Sequence, residues 1–271
     1  MHPDPSVASE IPLDVLEVIF RYLPASDLYA CCRVNKAMHS IAFEAIYRDL
    51  QPKRRNIMPL CLKLCNDTSL ARRVRSFVLF DDTVDMYLGI LQDTLPLLTR
   101  LHTLILFIGP SSSWILPQAD KCHFQLTTFS SSFFYDAALA SFLLSQRSLK
   151  HLWVTGYLSL NLFQSIKPNF LPNLVSIRVP LYLATVLVPG RPIRDIVTSH
   201  THQHVSISPL SLSTSNNGVQ RLMVNFSYLQ EEGCEELAQA VPNLTNLTID
   251  ADNVVPDDPV VCDVISGFCA N

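Results

Sequence analysis

A six-residue unit, apolar-x-x-apolar-x-apolar, recurs down this chain and restricts its fold more than any other feature. Clear copies are Val74/Phe77/Leu79, Leu101/Leu104/Leu106, Leu149/Leu152/Val154, Leu174/Ile177/Val179, Val219/Leu222/Val224 and Leu244/Leu247/Ile249. Weaker copies sit at Leu126/Phe129 and Ile193/Ile196. The eight first positions are spaced by 27, 25, 23, 25, 19, 26 and 25 residues. Two copies share Pro-Asn-Leu, at Pro172-Asn173-Leu174 and Pro242-Asn243-Leu244. A unit of this length supplies one short strand, a turn and a helix. Outer helices are expected over Asp136–Gln146 and Leu229–Val241. One unit cannot bury its apolar side alone, so neighbours must stack.

A period in the twenties with this consensus resembles leucine-rich repeats. The resemblance implies an α/β fold, a solenoid whose strands pair in parallel with positions one, four and six in the core. The alternative is an α/β sandwich of irregular βα units. The 19-residue step keeps it open, as does the polar run Thr198–Gly218, read as a long loop or an edge hairpin. Strand alternation turns positions three, five and seven away from the core. Aromatic residues and Arg are the usual interface anchors. The candidate partner-binding residues on that face are therefore Phe80, Phe107, Trp153, Arg178, Arg221, Met223 and Asp250, with Trp153, Phe107 and Arg178 foremost.

Ahead of the repeats, Ile11–Leu50 reads as three short helices. Val15, Leu16, Ile19, Phe20 and Leu23 form one apolar stripe. Pro12 suits a first helical position and Asp14 favours the helix dipole. Pro24 stops that helix. Ser26 or Asp27 can cap the second, which carries Leu28, Cys31, Cys32 and Val34. The third carries Met38, Ile41, Ala42, Ala45, Ile46, Tyr47 and Leu50. About forty residues cannot build an adequate core alone, so a partner is expected. The segment resembles an F-box. Ile11-Pro12, Leu16, Ile19-Phe20, Tyr22-Leu23, Asp27-Leu28, Cys31 and Val34 stand where that family has Leu-Pro, an apolar Ile-Phe pair, Tyr-Leu, Asp-Leu and Cys-x-x-Val. Ile11 departs from the usual Leu, and Met38 replaces a common aromatic. The alternative is a helical hairpin capping a larger fold.

An F-box followed by divergent leucine-rich-repeat-like units is similar to fungal F-box proteins. The resemblance implies docking on the Skp-family adaptor of a cullin–RING ubiquitin ligase. Pro12, Leu16, Ile19, Phe20, Leu23, Leu28 and Val34 would touch the adaptor or hold the F-box together. The repeat face would then bind a protein substrate of unknown identity, and ubiquitin transfer would happen on other subunits.

Composition narrows the classes. The chain has 271 residues, of which 48% are apolar and only 16% charged, far from disordered composition. Net charge is −4, without the basic footprint of general nucleic-acid binding. It is uneven: residues 1–75 hold 11 Lys/Arg against 8 Asp/Glu, while 76–271 hold 9 against 16. Beyond Arg221 no Lys or Arg occurs. Eight cysteines invite a disulfide framework, but a chain with this core does not need one. No secretory pattern opens the sequence, so a reducing compartment, cytoplasmic or nuclear, is expected. No transmembrane span is expected, because Gly109-Pro110 breaks the most apolar uncharged run, Leu101–Ala119.

Catalytic signatures are sparse. His200, His202 and His204 alternate, but with no cysteine near and only Asp195 as a carboxylate they read as a polar strand or loop. Cys61 and Cys65 lie one helical turn apart and read as buried thiols. Asp250 and Asp252 fit a strand's exposed face. No nucleophile elbow, Walker loop or zinc-protease motif occurs. The expectation is a non-catalytic substrate receptor with no cofactor and no metal. The competing classes are an enzyme with a scattered, loop-borne site and an F-box scaffold that delivers no substrate. The expected division is a disordered lead over 1–10, the F-box over 11–50, a linker and first solenoid helix over 51–73, and the repeat domain over 74–271. Within the linker, 51–56 reads as a polar hinge. Residues 256–271 are expected to fold over the last repeat as a cap.

Overall fold

The computed structural model describes residues 11–81, 86–155, 170–199, 209–225 and 234–250. Among the described residues, nine parallel strands form one open sheet in the order of the sequence. They are β1 (Asp49–Leu50), β2 (Ser76–Phe80), β3 (Thr103–Phe107), β4 (Thr128–Ser131), β5 (His151–Val154), β6 (Ser176–Pro180), β7 (Asp195–Ser199), β8 (Arg221–Asn225) and β9 (Asn246–Asp250). Each of the eight sequence units begins a strand two residues after its first apolar position.

The register explains the consensus. Position-four residues pair across the sheet in one row: Phe77, Leu104, Phe129, Leu152, Ile177, Ile196, Leu222 and Leu247. All but Leu247 are buried. Leu79, Leu106 and Val154 line the parallel row at position six, also buried. The weak copies are weak because position six is polar there. It is Ser131 in β4, and in β7 it is Thr198, whose hydroxyl donates to the Met223 carbonyl at 3.0 Å.

Helices cover the core face: α4 (Arg54–Asn66), α5 (Thr68–Ala71), α6 (Leu88–Thr94), α7 (Ala137–Ser145), α8 (Leu181–Leu187) and, after the 3-10 turn Pro209–Thr214, α9 (Cys234–Ala240). Asp136 caps α7 by accepting from the Leu139 N–H at 2.9 Å. Side chains tie successive units together. Asn173 of one Pro-Asn-Leu donates to the Arg147 carbonyl at 2.8 Å. Asn243 of the other lies against Gly218, where an added Cβ would sit 2.4 Å from its amide nitrogen. Gly218 is also left-handed, at φ +69°, so glycine is needed twice over. Arg191 is fully buried. Its guanidinium donates to the carbonyls of Phe170, Leu187 and Pro189 at 2.6, 2.7 and 3.1 Å, closing the C-terminal end of α8.

Three helices precede the sheet: α1 (Leu13–Phe20), α2 (Ala25–Cys31) and α3 (Lys36–Arg48). Several local expectations shift. Neither Ser26 nor Asp27 caps α2; Pro24 takes that position, and Asp27 lies in the first turn. The cap with a side-chain bond is Asn35, which accepts from Met38 N–H at 2.9 Å. The polar hinge shortens to 51–53, because Arg54–Asn56 already belong to α4. The third helix stops at Arg48, and its last expected residue, Leu50, is in β1. The described part of the polar run is the end of β7, a 3-10 helix and a turn, without a hairpin. β7 lies between β6 and β8, so it is no edge strand.

Candidate interaction surfaces

The helical module has a small core. Phe20, Leu28 and Ala42 are buried, and Leu16, Leu23, Cys31, Cys32, Met38, Ile41, Ala45 and Ile46 pack around them half-exposed. On α1, Leu16 and Phe20 face inward, one turn apart. Apart from Asp14 and Glu17, the rest of this helix is apolar too, and it faces out: Leu13, Val15, Val18 and Ile19 are exposed, followed by Tyr22 at 84%. Val34 and Tyr29 extend the patch from the second helix and its exit. A surface helix normally confines its apolar residues to one face, and the other face is polar. Eight large exposed apolar residues within Ile11–Val34 therefore mark a contact surface.

This geometry sorts the sequence candidates. Phe20 and Leu28 belong to the module's core. Leu16 and Leu23 are half-buried against it. Pro12, Ile19 and Val34 are exposed.

The module is fused to the sheet through α3. Ile41 and Ala45 face the small core, while Phe43 and Tyr47 pack against the large one. Lys63 of α4 donates to the Tyr47 hydroxyl at 2.7 Å and lies 5.0 Å from that ring's centre. Arg73 pairs with Glu44 at 3.4 Å. β1 then continues from α3 and pairs with β2, Leu50 opposite Phe77.

The second surface is the sheet face opposite the helices. All-parallel sheets are normally covered on both faces. Here Val78, Ile105, Phe107, Trp153, Val197 and Met223 are half-exposed, and Phe80 is 58% exposed. Phe80 stacks on Phe107, with ring centres 5.4 Å apart and planes 9° from parallel. Trp153 meets Phe107 edge-on at 4.9 Å, reaching across β4, where Ser130 is small. The Arg178 guanidinium lies 4.1 Å from the Trp153 ring centre. Four of the seven sequence candidates thus form one contiguous ladder over five strands, β2 to β6. Arg221 is separate and forms a bidentate pair with Asp195, both bonds 2.6 Å. Met223 is two strands from Arg178, and Asp250 is at the far end on β9. Sequence reading missed the Asp195–Arg221 pair, since the two lie 26 residues apart. The repeat length was the available signal, because it sets residues of like position side by side.

Burial pushes the Cys61 thiol up to about 11, and it also raises Cys122 and Cys32, so none is an activated nucleophile. Among the described residues no group of three His, Cys, Asp or Glu is placed to hold a metal. His200, His202, His204, Asp252 and the expected cap over 256–271 lie outside the described residues. Among the described residues no helix is long and apolar enough to cross a membrane.

Residues 8–51 match the F-box-like family. The match covers the three-helix module, β1 and the apolar patch. F-box domains are typically non-catalytic modules that bind a Skp-family adaptor. No curated protein matches the chain.

Proposed function

We propose that this chain is the substrate-recognition subunit of an SCF-type cullin–RING ubiquitin ligase, acting in the cytoplasm or nucleus. The F-box, 11–50, docks its exposed α1–α2 patch on the Skp-family adaptor. Residues 74–271 form a leucine-rich-repeat-like solenoid, and its open face holds a protein substrate. The observation that carries the reading is the F-box-like segment joined, through a shared helix, to a parallel sheet with one uncovered apolar face. The chain supplies no reacting group. It contributes proximity, raising the effective concentration of a substrate lysine near the charged conjugating enzyme.

Co-expression with the adaptor tests the first half. A stable one-to-one complex, lost on Ile19→Ser with Val34→Ser while the fold persists, is expected. Folded chain that never captures the adaptor would reject the reading. Turnover of a small molecule by the isolated chain would replace it with the enzyme class.

A further inference from the structure

Among the described residues, the open sheet face holds a cation without a counter-ion. Arg178 projects from the middle of the sheet, the third residue of β6 and position five of its repeat unit, and is exposed. Its guanidinium carbon lies over the Trp153 ring, 4.1 Å from the ring centre, a contact that takes up none of its N–H donors in a conventional hydrogen bond. Among the described residues no acceptor meets those donors. Asp195, on the adjacent strand, is already committed through both oxygens to Arg221. Trp153 adds a second donor without an acceptor, since its Nε1 is buried and unbonded. Buried N–H groups almost always have partners, and an indole can only donate. Beside these donors is the Phe80–Phe107 stack, large, apolar and partly open to solvent.

Taking the open sheet face as the substrate surface, we infer that it reads a peptide segment combining an acidic side chain with a large apolar one. The carboxylate seats on the Arg178 fork, which stacking on the indole holds in one orientation; the fork matches two carboxylate oxygens at once. The apolar side chain lies on Phe107 and Phe80. The side chains set the spacing. The Phe107 ring centre lies 4.9 Å from that of Trp153, and the Arg178 guanidinium lies 4.1 Å from Trp153, so the two groups are at most about 9 Å apart although their strands are three steps apart. That is about two to three residues of extended chain at ~3.4 Å each. The recognised element is therefore a large apolar residue and an Asp or Glu about two to three positions apart, laid across the strands.

A displayed library of random ten-residue peptides, panned on the full chain, tests this. Enrichment of Asp or Glu about two to three positions from Phe, Leu, Ile, Met or Trp is expected. The same panning on Arg178→Ala should lose the acidic preference, and Arg178→Lys should retain it weakly, since the charge stays but the fork goes. Trp114→Phe leaves Trp153 as the sole tryptophan. In that variant an enriched peptide should change the emission, and replacing its Glu with Gln should weaken binding roughly ten- to a hundredfold. Enrichment without acidic residues, enrichment unchanged on Arg178→Ala, or no enrichment at all overturns the inference. Adaptor capture is measured on the same preparations. Its loss with the peptide preference intact rejects the ligase reading alone, and the converse rejects this inference alone.

Discussion

Lys63 on α4 donates to the hydroxyl of Tyr47 on α3 across 2.7 Å, with its ammonium also 5.0 Å from the Tyr47 ring centre. The contact ties the F-box segment to the first outer helix of the sheet. With Phe43 beside it, Tyr47 has its ring against the large core while its helix also serves the small one. Under the proposed function such a joint matters, because proximity helps transfer only when the substrate is held at a defined place. Tyr47→Ala should lower unfolding free energy by roughly 1–3 kcal/mol, less than a fully buried aromatic would. A double-mutant cycle with Lys63→Ala should show coupling of about 1 kcal/mol in denaturant unfolding. Adaptor affinity should stay within about twofold, since the exposed patch is on α1 and α2. Additive effects would mean that the Lys63–Tyr47 contact is incidental.

The candidate adaptor residues should divide into two behaviours. Phe20→Ala and Leu28→Ala remove buried side chains and should destabilise the F-box by ~2–5 kcal/mol. Ile19→Ser and Val34→Ser change exposed positions and should leave the melting temperature within a degree or two, yet weaken adaptor binding at least about tenfold at an anchor. Circular dichroism melts and calorimetric titration separate the two groups. Equal behaviour of Ile19 and Phe20 in both assays would overturn the division.

Much of the fold was legible because repetition multiplies a weak signal. One apolar-x-x-apolar-x-apolar hexamer means little, but eight copies locate β2 to β9. β1 escaped because it is two residues long and embedded in the F-box. In retrospect Tyr47 and Leu50 hold positions one and four of a truncated copy, 27 residues ahead of Val74. The same alternation that buries Phe77 and Leu79 brings Phe80 to the open face, so the ladder's members were readable. Their contact was not, because Trp153 reaches Phe107 only by crossing the small Ser130 on an intervening strand. On the F-box, periodicity identified apolar positions but could not divide core from contact surface, since α1 is apolar on nearly every side. Arg191 gave no signal at all, because Phe170, Leu187 and Pro189 hold it through main-chain carbonyls, which every residue has.

Arg191 should be among the most sensitive positions in the chain. Burial lowers its basicity, and hydrogen bonds to carbonyls of Phe170, Leu187 and Pro189 hold it in place. Arg191→Met keeps much of the apolar stem but leaves those carbonyls without their donor. Each unsatisfied buried group costs ~1–3 kcal/mol, so a loss of about 2–5 kcal/mol is expected after local relaxation. Arg191→Lys should recover only part of it, because an ammonium cannot span the same set of acceptors. Urea midpoints for the two variants check this. A wild-type midpoint for Arg191→Met would show that water satisfies these carbonyls equally well.

The Cys61 thiol gives the fold a pH dependence on the alkaline side. It lies fully buried on the inner side of α4, and burial pushes its pKa up to about 11. An unfolded thiol titrates near ~8.5. Folding therefore favours the protonated form, so this contribution is fully present below about pH 8.5 and is lost as pH rises toward 11. Tyr135, pushed up to about 12 by burial, extends the same trend at its upper end. Unfolding free energy should be level from about pH 7 to 8.5 and fall beyond it. Cys61→Val, which cannot titrate and nearly conserves volume, should flatten the first part of that fall and leave the Tyr135 part. The thiol should also resist iodoacetamide in the native state at pH 8, while half-exposed Cys31 reacts, and it should react once the chain is unfolded. Native alkylation of Cys61 at the rate of Cys31, read by peptide mass mapping, would mean that α4 opens readily and that the thiol is not held in the core.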